Sequence, residues 1–409
     1  MAKSASLLSK FNVDVNFFTS KDAFFKKTAY VFFIGFFLIG CFVYSDYGIS
    51  TDEEVQRYVI GEANYIFIKN GNRQELLKNE GKYHGPAFEL LLYGAEKALK
   101  LTEERSCYLL RHFLTFLCFF ISLICFYLLG LKIFKYHFAA LLCVVMLAAS
   151  PRIFAESFYN SKDLPMLCFC VISAYTMFLF VEKQNILTAL LHAVCCGFAF
   201  DIRVMAILIP VATFYLMLFQ KKKKIIPIVL YVFYLVLSII AFWPVLWLGP
   251  LHHIVEAFKQ MSKYPGNGTT LYMGEFVPIQ NVPWHYLPVW IGITTPVYYI
   301  LMFVNGLVFL VINTLKNFKS TVPFHVFLFV FIAPVAAVII LHSTVYDAWR
   351  HVYFVYPFFV LIAVYGFIQL IHILTNGFIR NGFVCLSLIS LGYVCVNMFK
   401  NHPHQNVYF

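Results

Sequence analysis

Of 409 residues, 61% are hydrophobic and only 12% are charged, about half the charged share of an ordinary soluble domain, so a soluble globule is excluded. The formal net charge of +11 does not require a nucleic-acid partner. Its surplus lies in short segments between apolar runs, where the positive-inside rule accounts for it.

Apolar runs long enough to cross a ~30 Å hydrocarbon core recur along the whole length. They must be helical, because lipid offers backbone groups no hydrogen-bonding partner. Bounded by charge, they give eleven predicted spans, near 28–46, 107–131, 137–153, 165–181, 186–200, 204–219, 225–248, 288–313, 323–342, 352–374 and 382–399. The fold class is therefore an all-α polytopic membrane protein, with the N-terminus inside and the C-terminus outside. Lys3, Lys10, Lys21, Lys26 and Lys27 then fall on the inner side, together with Lys132, Lys135, Lys183, Lys221 to Lys224, Lys316, Lys319 and Arg380.

Residues 1–27 form a predicted cytoplasmic segment, too long and polar to open a cleavable signal peptide, and the span that follows reads as a signal anchor. Residues 28–399 make the membrane domain, and 400–409 a short outer tail. The eleven cysteines lie in or beside apolar runs without metal-site spacing and read as small buried hydrophobes.

Two long outer loops, 47–106 and 249–287, carry the rest of the information, since loops of that length usually have functional roles. In the first, Phe88, Leu91, Leu92, Ala95 and Leu99 recur at helical spacing and predict a helix lying on the membrane surface. The second holds Pro265, Gly266, Gly268, Gly274, Pro278 and Pro283 and is expected to be irregular.

Candidate chemistry gathers on the outer side. Asp52-Glu53-Glu54 follows the first span, and Lys82, His84, Glu89, Arg111, Arg152, Glu156, Lys162, Asp163, Asp201, Arg203, Asp347, Arg350 and His351 sit near other predicted outer ends. Ionised groups at such positions are costly unless paired or functional. Acidic and basic groups together suit one reaction, in which a carboxylate deprotonates a hydroxyl while Arg and Lys hold a departing phosphate. Plainer readings stand beside this one. The acidic triplet suits the start of a surface helix with Thr51 as N-cap, Lys162-Asp163 suits a local ion pair, and Asp201 is expected to pair with Arg203. A divalent cation beside Asp52 and Asp163 is left open, as no spacing demands a metal.

The order of these motifs resembles the GT-C superfamily of membrane glycosyltransferases, especially its protein O-mannosyltransferase and aminoarabinose-transferase group. Asp52-Glu53 stands where that group has an Asp-Glu pair at the start of the first outer loop. Tyr83-His84-Gly85-Pro86 is similar to a His-Pro-Pro-like element, with Gly85 as a departure, and Arg111 looks like a family position. Ser150-Pro151-Arg152, Glu156 and Lys162-Asp163-Leu164-Pro165 are similar to bacterial members. So are Leu271 to Glu275, Pro283 to Pro288 with Thr294-Thr295-Pro296, Tyr346 to His351, and His402 to Phe409. Many relatives continue past the last motif, whereas this sequence stops at Phe409, a departure that bears on acceptor choice.

The resemblance implies transfer of a sugar from a polyprenyl-phosphate carrier to a glycan, lipid or protein hydroxyl, on the outer face of a bacterial inner membrane. Asp52 would be the base with Glu53 supporting it. His84, Arg111, Arg152, Lys162, Asp163, Arg350 and His351 would bind sugar, acceptor or carrier phosphate. In a lumenal setting Asn267-Gly268-Thr269 would be a glycosylation acceptor; in bacteria the triplet is incidental. The rival class is a transporter or flippase, which would place ionisable residues near the bilayer midplane; the predicted spans have almost none there.

Overall fold

The computed structural model describes residues 21–262 and 268–408. Lys3, Lys10, Pro265, Gly266, Asn267 and Phe409, used above, lie outside the described residues.

Among the described residues, seven helices are long and apolar enough to cross a membrane: Asp22–Asp46, Glu104–Phe134, Asp163–Lys183, Ile225–Phe242, Val297–Ile340, Arg350–Ile373 and Gly377–Lys400. An eighth span arises if His137–Ala148 and Pro151–Tyr159, bent by 68°, are taken together. The bend follows from Pro151, which cannot donate to the preceding turn, and from Ser150, whose backbone is extended as the residue before a proline prefers. Ile186–Ile202 and Val204–Leu218 are apolar but shorter. Val297–Ile340 breaks at Asn317, where φ is −156° and ψ is 87°. Length and composition thus support seven or eight spans, and the other expected ones fall on the short helices and on this break. The chain is an integral, multi-pass, mainly helical membrane protein.

The most enclosed helix is Tyr356–Ile373, buried along nearly its whole length. It packs on Val297–Ile340 with backbones in contact. A Cβ at Gly306 would lie 2.2 Å from the Ile362 carbonyl, and one at Gly366 would lie 2.2 Å from the Met302 carbonyl. Small residues permit this approach between apolar helices, where van der Waals contact drives association.

Two expectations about the loops are corrected. The second long loop is not wholly irregular, because Thr269–Tyr272 and Glu275–Pro278 pair antiparallel, with Met273 and Gly274 at the turn both in the left-handed region. Nor does Ala87–Ala98 lie loosely on a surface. Phe88 and Leu92 are buried, as are Glu89 and Glu96, and only Leu91 and Leu99 of the apolar set are strongly exposed. The two carboxylates face inward because cations await them there.

Candidate active site

The acidic run begins a helix, Thr51–Val55, that continues through a π-helical turn, Gln56–Glu62; such turns are frequent at functional sites. The N-cap is Ser50, not Thr51. Glu53 reaches back to accept from the Ser50 N–H at 2.7 Å, the capping-box arrangement. Its other oxygen lies 3.0 Å from His112 Nε2. Glu53 is thereby buried and fixed, while the neighbouring Asp52 turns to another face and meets the Arg350 guanidinium at 2.5 Å. Arg350 also pairs with Asp347 at 3.0 Å.

Asp347 and Ala348 both have left-handed backbones, with φ of 52° and 61°, a costly state for residues with side chains. The turn is supported by the Ala348 N–H, which donates to the Tyr286 hydroxyl at 3.1 Å.

Asp52, Glu53, Arg152, Lys162 and Arg350 line one cavity of about 400 Å³, with Glu156, Tyr159, Asn160, Trp290, Asp347 and Asn406 among its other walls. Its walls come from segments that the charge pattern assigns to the outer side or to the outer ends of spans. Asp163–Lys183 starts beside this cavity and ends 21 residues later at Lys183, about 30 Å away at 1.5 Å per residue. The cavity therefore sits at one end of the spanning bundle, opposite the basic linkers.

Lys162 is partly buried, and its ammonium donates to His84 Nδ1 at 2.6 Å. Burial and the nearby charge of Arg203 bring the Lys162 ammonium down to about 7. His84 is pushed down to about 2, by the Lys162 charge and then by burial, so it stays neutral and accepts. The expected Lys162–Asp163 pair does not form. Asp163 instead pairs with Arg203 and is held by Asn160, which donates through Nδ2 and accepts the Asp163 N–H at 2.7 Å.

The expected Asp201–Arg203 pair is likewise overturned. Helix Ile186–Ile202 ends just before Arg203, whose extended backbone turns its side chain toward Asp163. Asp201 is buried with no hydrogen-bond partner for its carboxylate among the described residues. Its carbonyl presses on Gly85, where a Cβ would lie 1.4 Å from the oxygen. A proline in Gly85's place would carry the same clash, which explains the departure from the His-Pro-Pro-like pattern.

Arg152 Nε donates to the Asn406 carbonyl at 2.9 Å, which draws the tail over the cavity. The tail is also tied by the Tyr47 hydroxyl, donating to Gln405 at 3.0 Å, and by a 2.9 Å contact of His402 with Asp46. Arg152 Nη1 is buried without a partner among the described residues. Among the described residues, neither Arg152 nor Lys162 has a carboxylate within ion-pair distance.

Of the predicted site residues, His84 and Asp163 touch the cavity's Lys162 and Asn160 without lining it, and two more lie elsewhere. Arg111 is almost fully buried between Glu89 and Glu96. Glu96 also takes Arg57 at 3.0 Å, and Glu89 accepts from the Ser161 hydroxyl, so two cations balance two anions. His351 borders a separate, mainly apolar cavity of about 270 Å³, together with Arg203. His112 and Asn160 were missed by sequence reasoning. The signal for His112 was its place beside Arg111 inside an apolar run. Among the described residues no group of three or more His, Cys, Asp or Glu is placed to hold a metal ion.

The segment from Glu104 through Leu248 contains His112, Arg152, Lys162, Asp163 and Arg203, the cations and partners just described. Residues 104–248 match the dolichyl-phosphate-mannose-protein mannosyltransferase family. The resemblance to membrane glycosyltransferases of the GT-C superfamily therefore stands on this segment as well as on the motifs. The family is one of membrane transferases acting with a lipid-linked sugar. No curated protein and no solved structure matches the chain significantly.

Proposed function

We propose that this protein is a glycosyltransferase of the inner membrane, moving a sugar from a polyprenyl-phosphate carrier to an acceptor hydroxyl on the outer face. The observation that carries this reading is one cavity holding a half-exposed carboxylate, Asp52, beside two cations without carboxylate partners, Lys162 and Arg152. Such a set serves a displacement that consumes a base and releases an anion.

In the reaction, Asp52 takes the proton of the acceptor hydroxyl as its oxygen attacks the anomeric carbon. The bond from that carbon to the carrier's phosphate oxygen breaks, and the new glycosidic bond has inverted configuration. The phosphate leaves as an anion toward Lys162 and Arg152. Arg350 aims Asp52, and Glu53, pinned by Ser50 and His112, holds the helix start on which Asp52 rides. His84 orients the Lys162 ammonium, while Asp163 and Arg203 fix the segment that carries it. The matched family, that of dolichyl-phosphate-mannose-protein mannosyltransferases, supports the same donor class.

The test is sugar release from a radiolabelled mixture of polyprenyl-phosphate sugars by purified protein, wild type beside Asp52→Asn. Consumption by wild type alone supports the reading and identifies the sugar. If both proteins bind the lipid and neither consumes it, the chain carries or moves the lipid without chemistry.

A further inference from the structure

Helix Pro250–Ser262, which opens the second long loop, presents three different sides. Leu251, Val255 and Phe258 are exposed, Leu251 by 84%, and their spacing of four and three residues stacks them along one face. His253 and Ala257 are buried against the protein, with His253 Nδ1 lying 3.2 Å from the Tyr83 hydroxyl. His252, Glu256 and Lys259 occupy the sector between these two faces, and Glu256 pairs with Lys259 at 2.7 Å. One side is thus protein-facing, one polar, and one apolar and uncovered among the described residues.

The depth of this helix is fixed at both ends. The preceding span starts directly after Lys221 to Lys224 and runs 18 residues to Phe242. That is about 27 Å at 1.5 Å per residue, so Phe242 lies near the outer limit of a ~30 Å core. Pro244–Leu248 then turns the chain, and Trp247 Nε1 donates back to the Ile240 carbonyl at 2.7 Å. Half-exposed Trp247 therefore sits level with the end of the span, where tryptophan is favoured. Farther along, Phe258 meets Phe200 with ring centroids 6.0 Å apart, and Phe200 lies just before the end of Ile186–Ile202. A helix tied to the ends of two apolar helices runs along the boundary instead of away from it.

The exposed apolar surface is also continuous. Val229, Phe233 and Val236 face outward along the span, at the spacing that leads to Ile240. Trp247 bonds there, and Leu251, Val255 and Phe258 extend the strip sideways.

We propose that helix Pro250–Ser262 lies in the outer boundary of the bilayer, with its Leu251, Val255 and Phe258 face sunk among the lipid chains. Lipid is the occupant because the strip continues the outward side of a spanning helix, the surface that already meets lipid. The polar side then meets water and the His253 side meets protein, so each side faces a medium that suits it. The same helix has the bilayer on one side and, through His253 and Tyr83, the turn carrying His84 on another. This inference does not depend on the transferase reading.

The test places the full chain in phosphatidylcholine vesicles with ordinary or brominated acyl chains. It compares the fluorescence of wild type with that of Leu251→Trp, Val255→Trp and His252→Trp. Bromine quenches rings that lie among the chains, and wild type measures the background of the five native tryptophans. All three positions are exposed, so the new ring enters no packed core, and an unchanged melting temperature reports the fold. Emission added at positions 251 and 255 is expected to fall about two-fold or more in brominated vesicles, as for rings about 5–10 Å into the headgroup and acyl boundary. Emission added at position 252 should not fall. Either Leu251→Trp or Val255→Trp decides the matter if the other does not fold. Absence of quenching at both overturns the inference, and acrylamide then tells what covers the face: water if acrylamide quenches, a second copy or another protein if it does not. Equal quenching at all three positions means that the polar side is in lipid too, and overturns the assignment of sides.

Discussion

Arg350 and Asp52 stand 298 residues apart in the sequence and 2.5 Å apart in the fold. The contact joins the strained turn before the most enclosed helix to the acidic start of the first outer segment. It also sets the direction of the carboxylate proposed as base. Arg350→Ala is expected to cost about 100-fold in kcat/KM, the scale of a misplaced reacting group. Arg350→Lys should cost less, because it keeps the charge and loses the planar fork. Rates of donor consumption check this, and full activity in Arg350→Ala would mean that something else aims Asp52.

Lys162, proposed to hold the donor's phosphate, is expected to make the donor's affinity depend on pH. Burial first, and Arg203 second, bring its ammonium from the ordinary lysine range to about 7. Below that value the group is charged and attracts phosphate; above it the proton, and the attraction, are lost. Binding of polyprenyl phosphate is therefore expected to weaken as pH rises through about 7, with the midpoint moving upward once ligand is bound, since a nearby anion favours the charged form. Lys162→Arg should flatten the profile, because guanidinium stays protonated. Binding isotherms at a series of pH values decide it; a flat wild-type profile would remove Lys162 from the phosphate site.

Gly85→Ala should be among the most damaging single-methyl additions in the chain. The added carbon would sit 1.4 Å from the Asp201 carbonyl oxygen, and backbone, unlike a flexible side chain, cannot swing aside. A loss of about 1–3 kcal/mol or more is expected for such overpacking. It should appear as a lower melting temperature in detergent, along with weaker polyprenyl-phosphate binding as His84 shifts against Lys162.

Arg111 is expected to act on stability rather than on binding. Arg111→Ala leaves Glu89 and Glu96 with only Arg57 between them, and removing one member of a buried ionic set costs about 3–5 kcal/mol. Denaturation in detergent measures the loss. Protein that remains folded should bind polyprenyl phosphate as wild type does; reduced binding without reduced stability would return Arg111 to the donor site.

The spanning helices were legible because lipid makes a long apolar run and a helix nearly the same thing. Every expected span lies on an apolar helix. Less legible was where one span ends and the next begins, as at Asn317, where a helix breaks without glycine or proline. The candidate site was legible as an inventory: Asp52, Arg152, Lys162 and Arg350 do share a cavity. Its pairings were not. Sequence proximity suggested Asp201 with Arg203 and Lys162 with Asp163. The folded backbone instead gave Arg203 to Asp163 and Lys162 to His84, because a helix end turns adjacent side chains in different directions. The partners of Arg111 were unreadable for another reason. Glu89 and Glu96 lie two turns apart on one face of a helix whose apolar pattern suggested a surface position, and only packing shows that their face points inward.

The cavity draws its walls from residue 50 through residue 406, and this has a consequence for biogenesis. Chains emerge from the ribosome N-terminus first, so the acidic corner is made long before Arg350 or the hairpin that includes Thr270 and Leu271. A nascent chain halted after Leu248 would already hold Asp52, Glu53, Arg152 and Lys162, yet it would lack the guanidinium of Arg350 that pairs with the proposed base. Competence thus waits until helix Tyr356–Ile373 is inserted, and partial products of synthesis or proteolysis should be inert even where they retain every other charged residue of the corner.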